Sequence, residues 1–325
     1  MSTQNKRYQQ LTQGQRYQLQ ALHRKGFSQR DIAIDIGIHH STVSREFKRN
    51  ISGGSYCAKT AERLKEKRKE AKPKYSKYDE QHDEMISNGL LMGWSPENLS
   101  LRMQLELPKA SVLSHTSVYR RIARNKAQGG KWYKKLPRYG KRRCKGGKRK
   151  AGKSMIPDRV DISERPEIVD SRTRLGDWEG DTVHGQDATL VTLVDRTSRL
   201  LLLSKVTDKT AETVCTAMND LLSRVSDVHT ITLDNGGEFA RYAKVSEATE
   251  AKVYFARPYA SWQRGTNENT NGLIRRCWPK KMMLGGLSEQ EVRDMELRLN
   301  MTPRKVLGGR TPIEVYTGCV LHLLR

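Results

Sequence analysis

Apolar positions recur at helical spacing through the first fifty residues and at strand spacing only after Ile168, so the chain changes character midway. Between residues 11 and 50, Leu19 with Leu22, Ile32 with Ile36, and Val43 with Phe47 predict three short helices, broken at Gly26-Phe27 and at Gly37-Ile38-His39. Ser28, three residues before Asp31, is placed to cap the second helix, and Ser41 the third. Two closely linked helices with a glycine in the turn form a helix-turn-helix, whose second helix enters the major groove of DNA. The exposed face of the third helix then offers Thr42, Ser44, Arg45 and Lys48, side chains that bond base edges and phosphates.

A stretch dense in Lys, Arg and Glu from Thr60 to Lys74 predicts an exposed helix or linker ended by Pro73. A second helical unit runs from about Tyr78 to Arg124, with Ser95 as a cap and Pro96 at the first helical position. Its last helix, His115 to Ile122, turns Val118 and Ile122 inward and Ser117, Arg120 and Arg121 outward, the layout of a second groove-reading helix.

After Ile168 the pattern predicts three consecutive antiparallel strands, 177–183, 189–194 and 199–206, with a hairpin connection at 195–198. A helix over 209–225 leads to a strand at 229–233 that ends at Asp234, and a helix of this length permits a crossover to a parallel partner. A short helix (240–248), a strand (252–255), a loop (258–265) and a helix (266–277) complete an α/β order that starts as a meander. If the strand before Asp234 lies beside the first strand, Asp181 and Asp234 meet at a sheet end, with Glu268 presented by the later helix. Like charges ~4 Å apart cost ~1 to ~4 kcal/mol, depending on the local dielectric. Bound Mg²⁺ or Mn²⁺ removes that cost, and two such ions suit the activation of a water or a 3′-hydroxyl against phosphorus. Zinc-type His or Cys spacing is absent. Arg275, two helical turns after Glu268, is placed to hold a DNA phosphate near the metals. Asp177 and Glu179 alternate with Asp181 and share its face as outer-sphere candidates. Glu238 reads as a salt-bridge or helix-start residue, and His184 as structural or DNA-facing.

Charge reinforces this picture: 60 Lys and Arg against 36 Asp and Glu leave +24, which points to a polyanionic partner. Lys131 to Lys153 holds 12 basic and no acidic residues, Lys141, Arg142 and Arg143 among them. Such a tract cannot bury a core and attaches to phosphates in a salt-sensitive, sequence-blind way. Five cysteines without a Cys-x-x-Cys pair argue against a disulfide framework. The polar N-terminus and the lack of any run near the ~20 apolar residues of a membrane span predict an unexported protein with no membrane partner.

Three blocks carry a family resemblance: Gly-Asp-Trp-Glu-Gly-Asp-Thr-Val (176–183), Thr-Leu-Asp-Asn-Gly-Gly-Glu-Phe (232–239) and Arg-Gly-Thr-Asn-Glu-Asn-Thr-Asn-Gly-Leu-Ile-Arg (264–275). They resemble the catalytic blocks of DDE transposases of the bacterial insertion-sequence thirty (IS thirty) family, as do Ile-Pro-Asp-Arg-Val (156–160) and the N-terminal helix pair. The resemblance implies a ribonuclease-H-like catalytic domain with Asp181, Asp234 and Glu268 as catalytic metal ligands for two Mg²⁺ or Mn²⁺ ions. It also implies double-stranded DNA partners, namely the element's terminal inverted repeats and a target. The fold expected is multidomain: two all-α helix-turn-helix modules (1–55 and 77–127), a basic helical linker (56–76), a basic flexible linker (128–165), and an α/β catalytic domain with a mixed sheet and C-terminal helices (166–325). A homo-oligomer on DNA and a cytoplasmic, nucleoid-associated location complete the expectation. The competing class is a sequence-specific DNA-binding regulator with an inactive nuclease-like domain, distinguished by the absence of metal-dependent nicking.

Overall fold

A computed structural model describes residues 10–52, 54–72, 79–137, 139, 156, 159–257 and 260–324. The chain divides into two compact units, Met1–Ser76 and Lys77–Arg325.

In the first unit, α1 (Gln13–Arg24) begins at a reciprocal cap between Thr12 and Gln15. The Ser28 hydroxyl caps α2 (Gln29–Ile36) as expected, and Gly37 takes the left-handed conformation (φ 69°) that ends the helix and turns the chain. The third helix, α3 (His40–Asn50), starts two residues earlier than the serine pattern suggests. Its cap is His39, whose Nδ1 accepts the Ser41 N–H at 3.3 Å, so Ser41 lies inside the first turn. A two-stranded hairpin, β1 (Ile51–Ser52) with β2 (Ser55–Tyr56), leads to α4 (Ala58–Ala71). This basic helix packs against the three before it. Ala58 and Ala61 are buried against Leu19, Ile32, Val43 and Phe47, because small side chains let the helix approach closely. The buried Arg16 guanidinium ties the bundle together, donating to Glu46 at 2.7 Å and to Glu62 of α4 at 2.6 Å.

The second unit opens with α5 (Glu80–Leu91), α6 (Pro96–Glu106, capped by Ser95) and α7 (His115–Ala127) around Ile86, Leu99, Met103, Val118 and Ile122. Leu323 and Leu324, near the far end of the chain, pack into this same cluster. Helices 80–127 are thereby part of the unit that carries the sheet. A short helix, α8 (Glu167–Ser171), precedes the strands. In order come β3 (Asp177–His184), β4 (Thr189–Asp195), β5 (Leu201–Val206), α9 (Ala211–Leu222), β6 (Thr230–Leu233), α10 (Tyr242–Thr249), β7 (Lys252–Phe255), α11 (Gly265–Cys277), α12 (Glu289–Asn300) and α13 (Pro312–Thr317).

The five strands form one mixed sheet in the order β5-β4-β3-β6-β7, antiparallel from β3 to β5 and parallel across β3, β6 and β7. Alternation along β4 serves two cores: Val191 and Leu193 pack with Met218 and Leu221 of α9, while Leu190 and Val194 pack with Ile274 of α11 and Leu299 of α12. No helix among the described residues is long and apolar enough to cross a membrane.

The C-terminal segment is fastened by a buried ion pair. Arg102 of α6 grips Glu314 of α13 with both terminal nitrogens, at 2.6 and 2.9 Å, and Glu314 also accepts the N–H groups of Thr311 (2.7 Å) and Leu321 (2.9 Å). Burial alone would push the Glu314 carboxyl up, but these donors outweigh it and hold it at about 2. A pKa below the unfolded value stabilises the fold fully above about pH 4.5 and loses that contribution as pH falls toward 2, roughly 3 kcal/mol in all. Denaturant melts of the parent and of Glu314→Gln should therefore differ most above pH 5 and converge by about pH 2.5; a constant gap would remove this pair from the acid sensitivity.

Candidate active site and nucleic-acid interface

Strand register brings the first two acidic residues together. The parallel pairing of Asp177 with Thr230, Trp178 with Ile231 and Glu179 with Thr232 continues so that Asp181 lies beside Asp234, just past the end of β6. Gly180 makes the approach possible, since a Cβ there would come within 2.5 Å of Leu233 Cδ2. Between the two carboxylates lies the Arg264 guanidinium, 3.6 Å from Asp181 Oδ2 and 3.1 Å from Asp234 Oδ2, which also donates to the Gly180 carbonyl at 2.8 Å. Asp181 further accepts the Thr182 N–H (2.8 Å) and Asn271 Nδ2 (2.9 Å), and Asp234 accepts the Gly236 N–H (2.9 Å). Burial pushes the Asp181 carboxyl up and Asp234 adds to it, while Arg264 and the Thr182 N–H oppose; the net direction is upward.

The third acidic residue is set by the rotation of α11. Asn267 is fully buried, donating its N–H to Glu179 Oε2 (2.9 Å) and its amide to the Glu179 carbonyl (2.8 Å), while Thr192 Oγ1 donates to Asn267 Oδ1 (3.1 Å). With the helix locked there, Arg264, Glu268, Asn271 and Arg275 fall at i, i+4, i+7 and i+11 on one face. Arg264 and Asn271 touch Asp181, and Arg275 donates to the His184 carbonyl at 2.6 Å. Glu268 stands between them, exposed and without a hydrogen-bond or ion-pair partner among the described residues. No group of three or more His, Cys, Asp or Glu among the described residues is gathered closely enough to hold a metal ion. Two of the three expected ligands thus converge around one cationic group, and the third shares the helix face that frames them. Paired carboxylate oxygens already balanced by a positive group are the hard donors a divalent ion such as Mg²⁺ requires. The Arg275 Nη1 is buried with no partner, and burial pushes this guanidinium down.

The other acids of β3 are committed to structure. Asp177 accepts Arg174 (2.9 Å from each of two nitrogens) and the Thr230 hydroxyl (2.7 Å). Glu179, with no solvent exposure, is paired with Arg196 at 2.5 Å and accepts the Asn267 N–H. Glu238 sits in the 3₁₀ turn Gly237–Phe239, accepting the Thr182 hydroxyl at 3.0 Å with Lys209 3.6 Å away. His184 bonds with Thr189 at 3.1 Å, and burial pushes its pKa down.

Among the residues expected to meet DNA, Ser44, Arg45 and Lys48 are exposed on α3 and Thr42 is half-buried. A cavity of about 750 Å³ lies between α3 and α4, lined by Thr42, Arg45, Arg49, Lys65, Arg68 and Lys69 among others. The cations of α4 that line this cavity are not singled out in the sequence, where the stretch reads as an exposed helix or linker. Their spacing, Lys65, Arg68 and Lys72 in register with the buried Ala61, is the signal that they share a face bordering α3. On α7, Arg120 is exposed and Ser117 is half-buried against Ser114. Arg121 does not face outward: its guanidinium binds Asp83 of α5, Nε to Oδ1 at 2.8 Å, and lies over the Trp132 ring. A flanking carboxylate and an indole face offer it a better site than solvent. Lys141, Arg142 and Arg143 lie outside the described residues.

The sequence matches known proteins along most of its length. Residues 173–261 match the integrase core domain family and residues 7–50 a helix-turn-helix domain family. The chain is 39% identical to the transposase for insertion sequence element IS4351 of Bacteroides fragilis, over 94% of this chain and 95% of that protein. It is 33% identical to the transposase for IS1086 of Cupriavidus metallidurans (95% and 94% covered). Identity is 34% to the transposase InsI for IS30A of Escherichia coli (94% and 82% covered).

The geometry separates neighbouring acids by thermal melting in EDTA at pH 7. Glu179→Gln removes the fully buried one of the two carboxylates that pair with the Arg196 guanidinium and should cost about 3 kcal/mol, a fall of roughly 6–12 °C for a unit of this size. Asp181→Asn should hold or raise Tm, because the upward-shifted Asp181 is disfavoured in its ionised form when folded. The reverse ranking would mean that Glu179, not Asp181, bears the unrelieved charge.

Proposed function

The chain belongs to the IS30 family of insertion-sequence transposases, DNA-binding enzymes with an integrase core that cut DNA and transfer strands, and on that premise we propose that Asp181, Asp234 and Glu268 together hold two divalent cations, Mg²⁺ or Mn²⁺. The observation that carries this reading is the side-by-side register of Asp181 and Asp234 around a single positive group, with Glu268 on the same face of α11 as Arg264 and Asn271. When bound, the ions supply positive charge at the scissile phosphodiester, lowering the barrier to attack by water or by a 3′-hydroxyl.

The protein's own groups do the positioning. Thr182 N–H and Asn271 orient the Asp181 oxygens, Gly236 N–H orients Asp234, and the Asn267–Glu179 lock fixes the rotation of α11, whose face with Arg264 and Asn271 also carries Glu268. Arg264 balances the two carboxylates; with cations bound there, its charge would be available to the DNA backbone. Arg275, with a nitrogen to spare, holds a phosphate nearby.

Recognition of the element's terminal inverted repeats falls to the N-terminal helix-turn-helix through Thr42, Ser44, Arg45 and Lys48. Helices α5 to α7 form a second such module, with Ser117 and Arg120 toward DNA and Arg121 bracing α7 on α5. The basic tract containing Lys141, Arg142 and Arg143 tracks the backbone between the modules and the core. Because two element ends must be joined to one target, the active form is a homo-oligomer on nucleoid DNA.

With Mg²⁺ or Mn²⁺ and an oligonucleotide bearing an element end, Asp181→Asn, Asp234→Asn and Glu268→Gln should each lower cutting at least ~100-fold, a few kcal/mol of barrier, while binding stays within about twofold. Cutting by Glu268→Gln at the parent rate would take Glu268 out of the site.

Base reading and backbone attachment should also separate. Arg45→Ala is expected to cost about 1–3 kcal/mol on the preferred sequence and relax its preference, whereas Lys48→Ala weakens binding to all sequences alike and lowers the salt slope by about 1. Anisotropy titrations over a NaCl series distinguish them; identical behaviour of the two variants would refute the division.

A further inference from the structure

A second cavity, of about 570 Å³, opens on the sheet-bearing unit just before α11. Of the ionisable side chains lining it, four are arginines, Arg165, Arg172, Arg196 and Arg257, and one is an acid, Asp170; Gln263 closes one side. The two inner guanidiniums are nearly inaccessible, with Arg165 and Arg196 side chains 5% and 4% exposed.

Across the four arginines the charge is only partly answered: Glu179 pairs with Arg196, Asp161 with Arg257, and Asp170 is left to serve the inner two. A single oxygen of Asp170 serves both, bonded to Arg165 and lying 3.1 Å from Arg196. Arg165 donates one further hydrogen bond, to the Thr232 hydroxyl at 3.0 Å, and its Nε is buried with no partner. Arg172 reaches the rim from a left-handed backbone conformation (φ 54°) and has no ion-pair partner among the described residues. Arg257 sits 3.4 Å from Asp161 and is mostly exposed. Burial, and then Arg196, push the Arg165 guanidinium down. Clustered guanidiniums that repel one another and keep a buried donor unused are stabilised by an anion with several acceptor oxygens.

Position narrows the anion. Arg196 is bonded to Glu179, two residues before Asp181 on β3, and its Nη1 reaches the carbonyl of Gln263, the neighbour of Arg264. The cavity therefore adjoins the paired aspartates through β3, which carries Asp181, and through the residue before Arg264, the cation between them. We propose that it takes a backbone phosphate of bound duplex DNA flanking the reacting phosphodiester, with Arg165 and Arg196 at its base and Arg172 and Arg257 closing from the rim. This rests on the reading that DNA is cut at Asp181 and Asp234.

The test uses the full chain in EDTA, so that a failure of the metal assignment, visible only in cleavage, leaves it untouched. Phenylglyoxal modification is mapped by mass spectrometry with and without a duplex taken from the DNA flanking the reading frame. The duplex should slow modification of Arg172 and Arg257 at least ~5-fold, and inorganic phosphate at matched concentration should not. Protection of Arg45 alone would overturn the proposal, as would equal protection by phosphate, which would mark a small-anion pocket. In parallel, the double variant Arg172→Ala, Arg257→Ala should melt like the parent, bind any duplex about 10-fold more weakly, and lower the slope of log K against log[NaCl] by about 1 to 2. An unchanged slope would overturn it too.

Discussion

Two carboxylates held side by side in a half-buried cleft repel each other and lose hydration together, so the arrangement persists only with positive charge between them. Asp181 and Asp234 are brought to that situation by backbone register, which their side chains cannot escape, and the Arg264 guanidinium supplies the charge. The rest of the catalytic unit follows from this constraint. The strands must be parallel and adjacent for the acids to meet, α9 must cross over to make them parallel, and α11 must return across β3 and β4 to deliver Arg264 and Asn271 to the same edge.

Specificity among the acids comes from local neutralisation. Asp177, Glu179 and Asp181 are alternate residues of one strand, yet Asp177 is clamped by Arg174 and Glu179 by Arg196 and the Asn267 N–H. Asp181 instead shares the Arg264 guanidinium with Asp234, the carboxylate lying beside it in register. The Glu179 bonds also set the rotation of α11, so an acid that takes no metal fixes the helix carrying the proposed third ligand. The arginines follow the same economy of placement: Arg102, Arg121 and Arg174 are consumed by carboxylates, whereas those around Arg165 outnumber theirs, and the surplus charge collects at the cavity proposed to take a DNA phosphate.

Much was legible from the residues alone. Helical periodicity with Ser28 and Gly37 marked the first module, and strand periodicity gave β3 to β7 within a residue or two. The paired aspartates followed from one assumption, that the strand before Asp234 lies beside the first. The helix at 58–71 misled because its charges mark a solvated face, while two alanines are too weak a pattern to reveal burial. Arg121 misled because helical geometry leaves it at the boundary between faces, where a partner on another helix decides.

The chain by itself determined which segments are helices and strands, which acids stand at strand ends, and that the partner is a polyanion, because these depend on local periodicity, capping and net charge. Tertiary structure alone decided which carboxylates are neutralised, which arginines are left in excess, and that the last residues close the core of α5 to α7. Those outcomes depend on groups far apart in sequence meeting in a medium of low dielectric, where a partner a few ångströms away determines what a charged side chain is free to do.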